Sequence, residues 1–143
     1  MTGIMDNAIT NGTDQGPNLA EVLKTLREIA VETNKKYAQL LGIPQSTAIT
    51  CVKPSGTVSQ LTDSASGIHA RHSKYYIRTV RGDKKDPLTR FMMDNNIPWE
   101  TDGWSKENAV FSFPIKAPED CITRDDMSAV EQLDFWKVYA ENW

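Results

Sequence analysis

The recurrence of apolar residues between positions 19 and 41 constrains the fold of this chain more than any other sequence feature. The apolar side chains return with the 3.6-residue period of one helix face, and they are Leu19, Val22, Leu23, Leu26, Ile29, Ala30, Tyr37, Leu40 and Leu41. Asn18 is a suitable N-cap, Gly42 stands where a left-handed C-terminal residue belongs, and Pro44 blocks continuation. We therefore predict a long helix over this range.

Helical and strand-like patterns alternate along the rest of the chain. Runs of β-branched and aromatic residues predict strands at 46–52, 74–81 and 109–115. Further helices are predicted at 58–64, at 87–95 with Asp86 as cap and Pro87 as first residue, and from about Ser128 onward. This alternation indicates α/β organisation, with helices covering a sheet. The block from about 77 to 124 is predicted to be an inserted strand–helix–strand excursion.

Composition and charge exclude several classes of function. The 143 residues are 39% hydrophobic, which is enough for a core, and the net charge of -3 argues against a general nucleic-acid binder. No apolar run approaches the ~18 residues that a membrane span needs, and the first residues lack the pattern of a signal peptide. Cys51 and Cys121 match no metal or redox spacing. We expect a reduced, cytoplasmic protein that binds neither membrane nor nucleic acid.

The two ends of the chain are unusual for an independent domain. The chain opens with a polar, turn-rich stretch at residues 7–17 and closes at Trp143, inside the pattern of its last helix. A helix normally ends with Gly or Asn just after its last turn. On this ground we expect a segment of a longer protein.

The segment from Val52 to Ser59 has the features of a phosphate-binding turn. Pro54 stops strand pairing, Gly56 lets the backbone pass close to a ligand, and a helix whose first N–H groups favour an anion follows. Lys53 adds a cation, and hydroxyls come from Ser55, Thr57 and Ser59. The order of lysine and glycine differs from that of a Walker A loop. Taken alone, these residues also suit a capped turn in which the hydroxyls satisfy backbone donors.

Further segments extend this pattern over most of the chain: Val52–Leu61, Ser66–His69, Tyr75–Arg78, Asp86–Leu88, Val110–Lys116 and Ser128–Leu133. Together they resemble the catalytic subunit of ribonucleotide reductases, most of all the monomeric, triphosphate-reducing branch of the adenosylcobalamin-dependent (class II) enzymes. The resemblance implies a partial ten-stranded α/β barrel, in which residues 1–143 are a segment of the C-terminal half-barrel. The excursion at about 77–124 would be inserted in it.

The resemblance also implies an activity. In this family a cysteine thiyl radical, generated with adenosylcobalamin, abstracts the 3′-hydrogen of a ribonucleoside triphosphate, and the 2′-hydroxyl leaves as water. The implied partners are the remainder of the reductase chain and a thioredoxin-like reductant. The family assigns substrate phosphate to the turn formed by Pro54, Ser55, Gly56, Thr57, Val58 and Ser59, and we add as candidate phosphate or cofactor contacts Lys53, His69 and Arg71. The motifs that carry the family's catalytic cysteines do not occur here, so no catalytic residue is assigned, and the segment alone should reduce nothing.

Two alternative hypotheses remain open from the sequence. One is a stand-alone nucleotide-binding or regulatory module that keeps the turn, and the other is a fragment of a class I, diiron-dependent catalytic subunit. Cys51 is interpreted as a buried structural thiol, and His69 with His72 lacks the partner ligands of a metal site. Tyr75 and Tyr76 fit strand packing better than radical transfer.

Overall fold

The computed structural model describes residues 1–143, which divide into two compact units. Unit 1 comprises Met1–Lys74 and Ala117–Trp143, and unit 2 comprises Tyr75–Lys116. In chain order the elements are a 3₁₀ turn (Ile4–Asp6), α1 (Ala8–Asn11), α2 (Leu19–Leu41), α3 (Val58–Leu61), β1 (Tyr75–Asp83), α4 (Pro87–Asp94), β2 (Trp99–Thr101), β3 (Asn108–Lys116) and α5 (Ala129–Asn142). The block predicted as an excursion overlaps unit 2, and its insertion into a larger barrel stays a prediction.

The predicted long helix is confirmed as α2, and so are both of its caps. The Asn18 side chain accepts a hydrogen bond from the backbone N–H of Ala20 at 2.9 Å. Gly42 has a left-handed φ of 66°, and its N–H turns back to the carbonyls of the last helical turn. Leu23, 1% exposed, anchors α2 in the core, whereas Leu40 near its end is 76% exposed.

The core of unit 1 joins the beginning of the chain to its last helix. Ile4, Leu23 and Tyr139 form its centre, with Phe135 and Val138 of α5 packed against it. The Tyr139 hydroxyl donates to the Thr10 carbonyl at 2.7 Å, and burial raises the pKa of Tyr139 to about 12. This phenol therefore stays protonated and ties α5 to the N-terminal segment.

Unit 2 is a three-stranded antiparallel sheet of order β1-β3-β2. The strands predicted at 74–81 and 109–115 are confirmed as β1 and β3, which pair from Tyr75↔Lys116 to Asp83↔Asn108. The three-residue strand β2 was missed because it is too short to show an alternating pattern. The helix predicted after Asp86 is confirmed as α4, with the Asp86 carboxylate accepting from the Thr89 N–H at 2.9 Å.

Two predictions about unit 1 are wrong. Residues 46–52 pair with no strand, so the predicted strand is not formed within this chain, and the predicted half-barrel is not confirmed. A β-branched run becomes a strand only where a neighbouring strand satisfies its backbone groups. The stretch 7–17, predicted as polar turns, begins with α1, whose N-cap Asn7 accepts from the Ile9 N–H at 2.9 Å. No helix of either unit has the length and apolar character to span a bilayer.

Candidate phosphate-binding turn

The turn has no regular secondary structure before α3, and it ends in this helix of a single turn. Residues 58–61 form α3, shorter than the predicted 58–64, and Thr57 precedes it without a side-chain capping bond. The N–H groups of Gln60 and Leu61 donate to the Thr57 carbonyl at 3.0 and 3.1 Å. The N–H groups of Gly56, Thr57 and Val58 have no acceptor within the chain. Because four residues give only a small helix dipole, attraction of an anion depends mainly on these N–H groups and on nearby hydroxyls.

The middle of the turn is open to solvent. Lys53, Pro54, Gly56 and Thr57 are exposed, and Val58 is 57% exposed. A Cβ atom built on Gly56 meets no other atom within 4 Å. A phosphate group therefore has free access to the unpaired N–H groups.

Ser59 does not face this opening. It is 0% exposed, its hydroxyl donates to the Ser55 carbonyl, and that hydroxyl lies 3.3 Å from the Gln60 side-chain amide. The predicted contact between Ser59 and phosphate conflicts with this burial. Ser59 instead holds α3 against the preceding turn.

The N-terminal segment holds the turn in place through hydrogen bonds of the Thr2 side chain. The Thr2 hydroxyl lies 2.7 Å from the Ser55 hydroxyl and 3.0 Å from the Ala65 carbonyl, and it accepts the Gly67 N–H at 3.0 Å. The Ser55 N–H donates to the Ser66 hydroxyl at 2.9 Å. Sequence reasoning missed Thr2 because its partners lie 53 to 65 residues away, and no local motif indicates such contacts.

Gly67 fixes the base of the turn through a close backbone approach. Its φ is +55°, and a Cβ atom built on it would lie 2.7 Å from the Lys53 carbonyl oxygen. Only glycine combines this conformation with this contact. The segment after α3 thus packs directly against the residue that leads into the turn.

Arg71, a predicted contact for phosphate or cofactor, is buried in an internal ion pair. It is 5% exposed, and its guanidinium donates to both carboxylate oxygens of Asp6 at 2.8 and 2.9 Å and to the Asp63 carbonyl at 2.7 Å. The Asp6 carboxylate also accepts the Ala65 N–H at 2.6 Å. Arg71 therefore clamps the segment after α3 to the N-terminal residues, and its predicted contact with a ligand is not supported.

His69 and Cys51 lie on a cavity of about 450 Å³ beside the turn. Its wall also includes Pro54, Ile68 and Trp136. Cys51 is exposed, contrary to the predicted buried thiol, because the strand expected to bury it is not formed. Cys121 is the buried cysteine, and burial, followed by the nearby Asp6 carboxylate, raises the pKa of its thiol.

Comparison with known proteins supports the resemblance seen in the sequence. No family model matches the chain. An adenosylcobalamin-dependent ribonucleoside-triphosphate reductase of Lactobacillus gasseri is 34% identical over 101 residues, which are 71% of this chain and 14% of that protein. A probable enzyme of the same name from Dictyostelium discoideum is 31% identical over 112 residues, 78% of this chain and 15% of that protein. The chain is a relative of the adenosylcobalamin-dependent ribonucleotide reductases.

The fold agrees with this relationship. The crystal structure of a B12-dependent (class II) ribonucleotide reductase superposes with a TM-score of 0.75 at 26% identity, over 87% of this chain and 18% of that one. The resemblance to class II reductases is thus confirmed over most of the chain. The chain spans only about one seventh of the length of its reductase relatives, so their activity as whole proteins is not shown by this segment.

Proposed function

We propose that this chain is the substrate-phosphate-binding part of an adenosylcobalamin-dependent ribonucleoside-triphosphate reductase. The observation that carries the proposal is the 34% identity to such a reductase over 71% of the chain. The complete enzyme would convert ribonucleoside triphosphates to 2′-deoxyribonucleotides by thiyl-radical chemistry, with a thioredoxin-like reductant. The class I hypothesis is not carried forward, because the relatives and the solved structure belong to the B12-dependent class.

The role of this segment in that reaction is to hold the phosphates. The N–H groups of Gly56, Thr57 and Val58 point at no acceptor within the chain. The hydroxyls of Ser55 and Thr57 add donors, and the exposed Lys53 adds a positive charge. Donors fixed on a turn bind phosphate oxygens with little reorganisation, which suits the orientation of a substrate.

The barrel itself also belongs to the proposal. Residues 46–52 include four β-branched residues, lack strand partners and lead directly into the turn. In the complete reductase we expect them to pair with neighbouring strands of a ten-stranded α/β barrel. The turn would then follow the end of a barrel strand. The neighbouring strands would also cover the cavity beside the turn, whose lining includes residues 50–52.

Adenosylcobalamin does not fit the residues of this segment. The cavity beside the turn, at about 450 Å³, has the size of a pocket for a drug-like molecule and not of a corrin with its nucleotide loop. Arg71 is committed to Asp6. We therefore assign no residue of this chain to the cofactor, which would supply the radical from elsewhere in the complete enzyme.

The complete reductase provides the test. Gly56→Glu places a carboxylate among the phosphate-binding donors, and like-charge repulsion should raise the KM for the triphosphate at least about tenfold. Gly103→Glu is the matched control, since Gly103 is an exposed glycine and a Cβ atom added to it would meet no other atom within 4 Å. An unchanged KM for Gly56→Glu would contradict the proposal that the turn binds the substrate phosphates. Activity without added adenosylcobalamin would contradict the class II assignment.

A further inference from the structure

Beneath the turn, the hydroxyls of Thr2 and Ser55 form a pair whose protons can be arranged in two ways. We propose that Thr2 is a positioning residue that lets the Ser55 hydroxyl donate its proton to bound phosphate. The inference rests on the proposed function of the turn. It adds a residue from the start of the chain that does not itself touch the phosphate.

The Thr2 hydroxyl has one proton and three polar neighbours. It accepts the Gly67 N–H at 3.0 Å, so its own proton goes either to the Ala65 carbonyl at 3.0 Å or to the Ser55 hydroxyl at 2.7 Å. In the first arrangement the Ser55 proton points inward to Thr2. In the second arrangement Thr2 donates to Ser55, and the Ser55 proton is free to point outward.

The two arrangements are close in energy because the protein groups around the pair keep a hydrogen bond in both, and in the second the proton of the half-buried Ser55 can reach solvent. The Ala65 carbonyl already accepts the Gly3 N–H at 2.8 Å, so it keeps a hydrogen bond when the Thr2 proton turns away. The Ser55 backbone is held by its N–H bond to the Ser66 hydroxyl at 2.9 Å. The heavy atoms can therefore stay in place while the two hydroxyl protons rotate.

A phosphate selects the second arrangement. Its ionised oxygens accept hydrogen bonds and do not donate them, so the Ser55 hydroxyl must turn its proton outward. Thr2 then donates to the same Ser55 oxygen, and successive donors polarise one another and strengthen the outer bond. Without the Thr2 hydroxyl, Ser55 loses this support and its preferred orientation.

A double-mutant cycle on the chain tests this, with inorganic tripolyphosphate as the probe and NMR titration as the measurement for weak binding. Thr2→Ser keeps the hydroxyl and should bind within about twofold of the wild type, whereas Thr2→Val should bind about threefold to tenfold more weakly. In the Ser55→Ala background, Thr2→Val should cause no further loss. Independent, additive losses would overturn the proposal, since they would indicate a general structural role.

The wild-type chain offers a second measurement that does not depend on the folding of Thr2→Val. When Thr2 turns from the Ala65 carbonyl, the Gly3 N–H keeps that acceptor alone, and its amide proton should shift to higher frequency as tripolyphosphate is added. Ser55→Ala should abolish this shift. Shifts at Gly56 and Thr57 without one at Gly3 would overturn the role of Thr2 and leave the phosphate site standing. No shift at any of them would overturn the phosphate site and this proposal with it.

Discussion

At the scale of single residues, the two glycines on either side of α3 differ in whether the fold requires glycine at their position. Gly56 has an ordinary negative φ and open space around it, so nothing inside the chain requires glycine there. Gly67 has φ +55° and touches the Lys53 backbone. The sequence drew attention to Gly56 because it lies in the motif, but the conformational requirement falls on Gly67.

Substitution of these glycines should separate structure from ligand binding. Gly67→Ala should lower the free energy of unfolding by about 1–3 kcal/mol from its left-handed backbone alone, and the contact with the Lys53 carbonyl adds to that loss. Gly56→Ala, the matched control, should be neutral or up to about 1 kcal/mol stabilising. Chemical denaturation of the two variants measures the difference. Equal stability would contradict the described approach of residues 53 and 67.

The buried pair of Asp6 and Arg71 gives a second prediction at this scale. Asp6→Asn removes the counter-charge that holds both sides of the buried guanidinium, leaving only the exposed Asp63 carboxylate at 3.4 Å. The substitution should cost up to about 3–5 kcal/mol of unfolding free energy. Glu141→Gln makes the same carboxylate-to-amide change in a surface pair with Lys137, in which the lysine and glutamate side chains are 67% and 60% exposed. That control should cost less than about 1 kcal/mol. Urea denaturation measures the unfolding free energy of both variants. Similar losses would mean that the Asp6–Arg71 pair contributes no more to stability than a surface ion pair.

At the scale of elements, the three longest helices were predictable because their ends depend on local sequence. Asn18 and Asp86 cap helices as predicted, and Ser128, where the last helix was expected to begin, caps α5, since a cap needs only partners two or three residues away. The strand at 46–52 was not formed because its partners must come from distant chain, which β propensity alone does not supply. Local signals therefore located α2, α4 and α5, but they do not show whether residues 46–52 find a strand to pair with.

The cap of α5 can be tested directly. Ser128 accepts the Glu131 N–H at 3.3 Å, and Glu131 accepts the Ser128 N–H at 2.8 Å, which is a complete capping box. Ser128→Ala should destabilise the chain by about 0.5–2 kcal/mol. Glu131→Gln keeps an acceptor at the same place and should lose less. Thermal unfolding followed by circular dichroism compares them, and a larger loss for Glu131→Gln would contradict the capping role of Ser128.

The same box has a pH signature of known sign. Hydrogen bonds from the Ser128 side chain and then its backbone hold the pKa of Glu131 below its usual 4.5. The stabilisation is present above the unfolded pKa and is lost as pH falls through the lower, folded value. Glu131→Gln should therefore weaken the loss of stability below about pH 4.5.

At the scale of the whole molecule, the candidate site was only partly predictable. The turn at 53–58 was visible because it is contiguous. Its supports, Thr2 and the Asp6–Arg71 pair, come from segments more than fifty residues apart in sequence. Arg71 looked like a ligand contact because the sequence shows its charge. The sequence does not show that the Asp6 carboxylate, 65 residues away, is its partner.

The division into two units predicts that unit 1 folds without unit 2. The N–H of Ala117 donates to the Lys74 carbonyl at 2.9 Å, so the two ends left by removing Tyr75–Lys116 are neighbours. A two-residue Asn-Gly connection suits such an antiparallel pair. The shortened chain should unfold cooperatively and keep its sensitivity to Asp6→Asn. Loss of cooperative unfolding would show that unit 1 depends on the residues removed.

The contact between Thr2 and Ser55 has a consequence for the order in which the molecule assembles. It closes a loop of more than fifty residues, and the entropy of that closure must be offset before the contact gives any stability. Helix α2 lies inside this loop and can form within microseconds from local interactions alone. The turn, in contrast, acquires its support only when these distant segments meet. The ability to bind phosphate should therefore appear in the slowest phase of refolding, after most of the helical signal has been recovered.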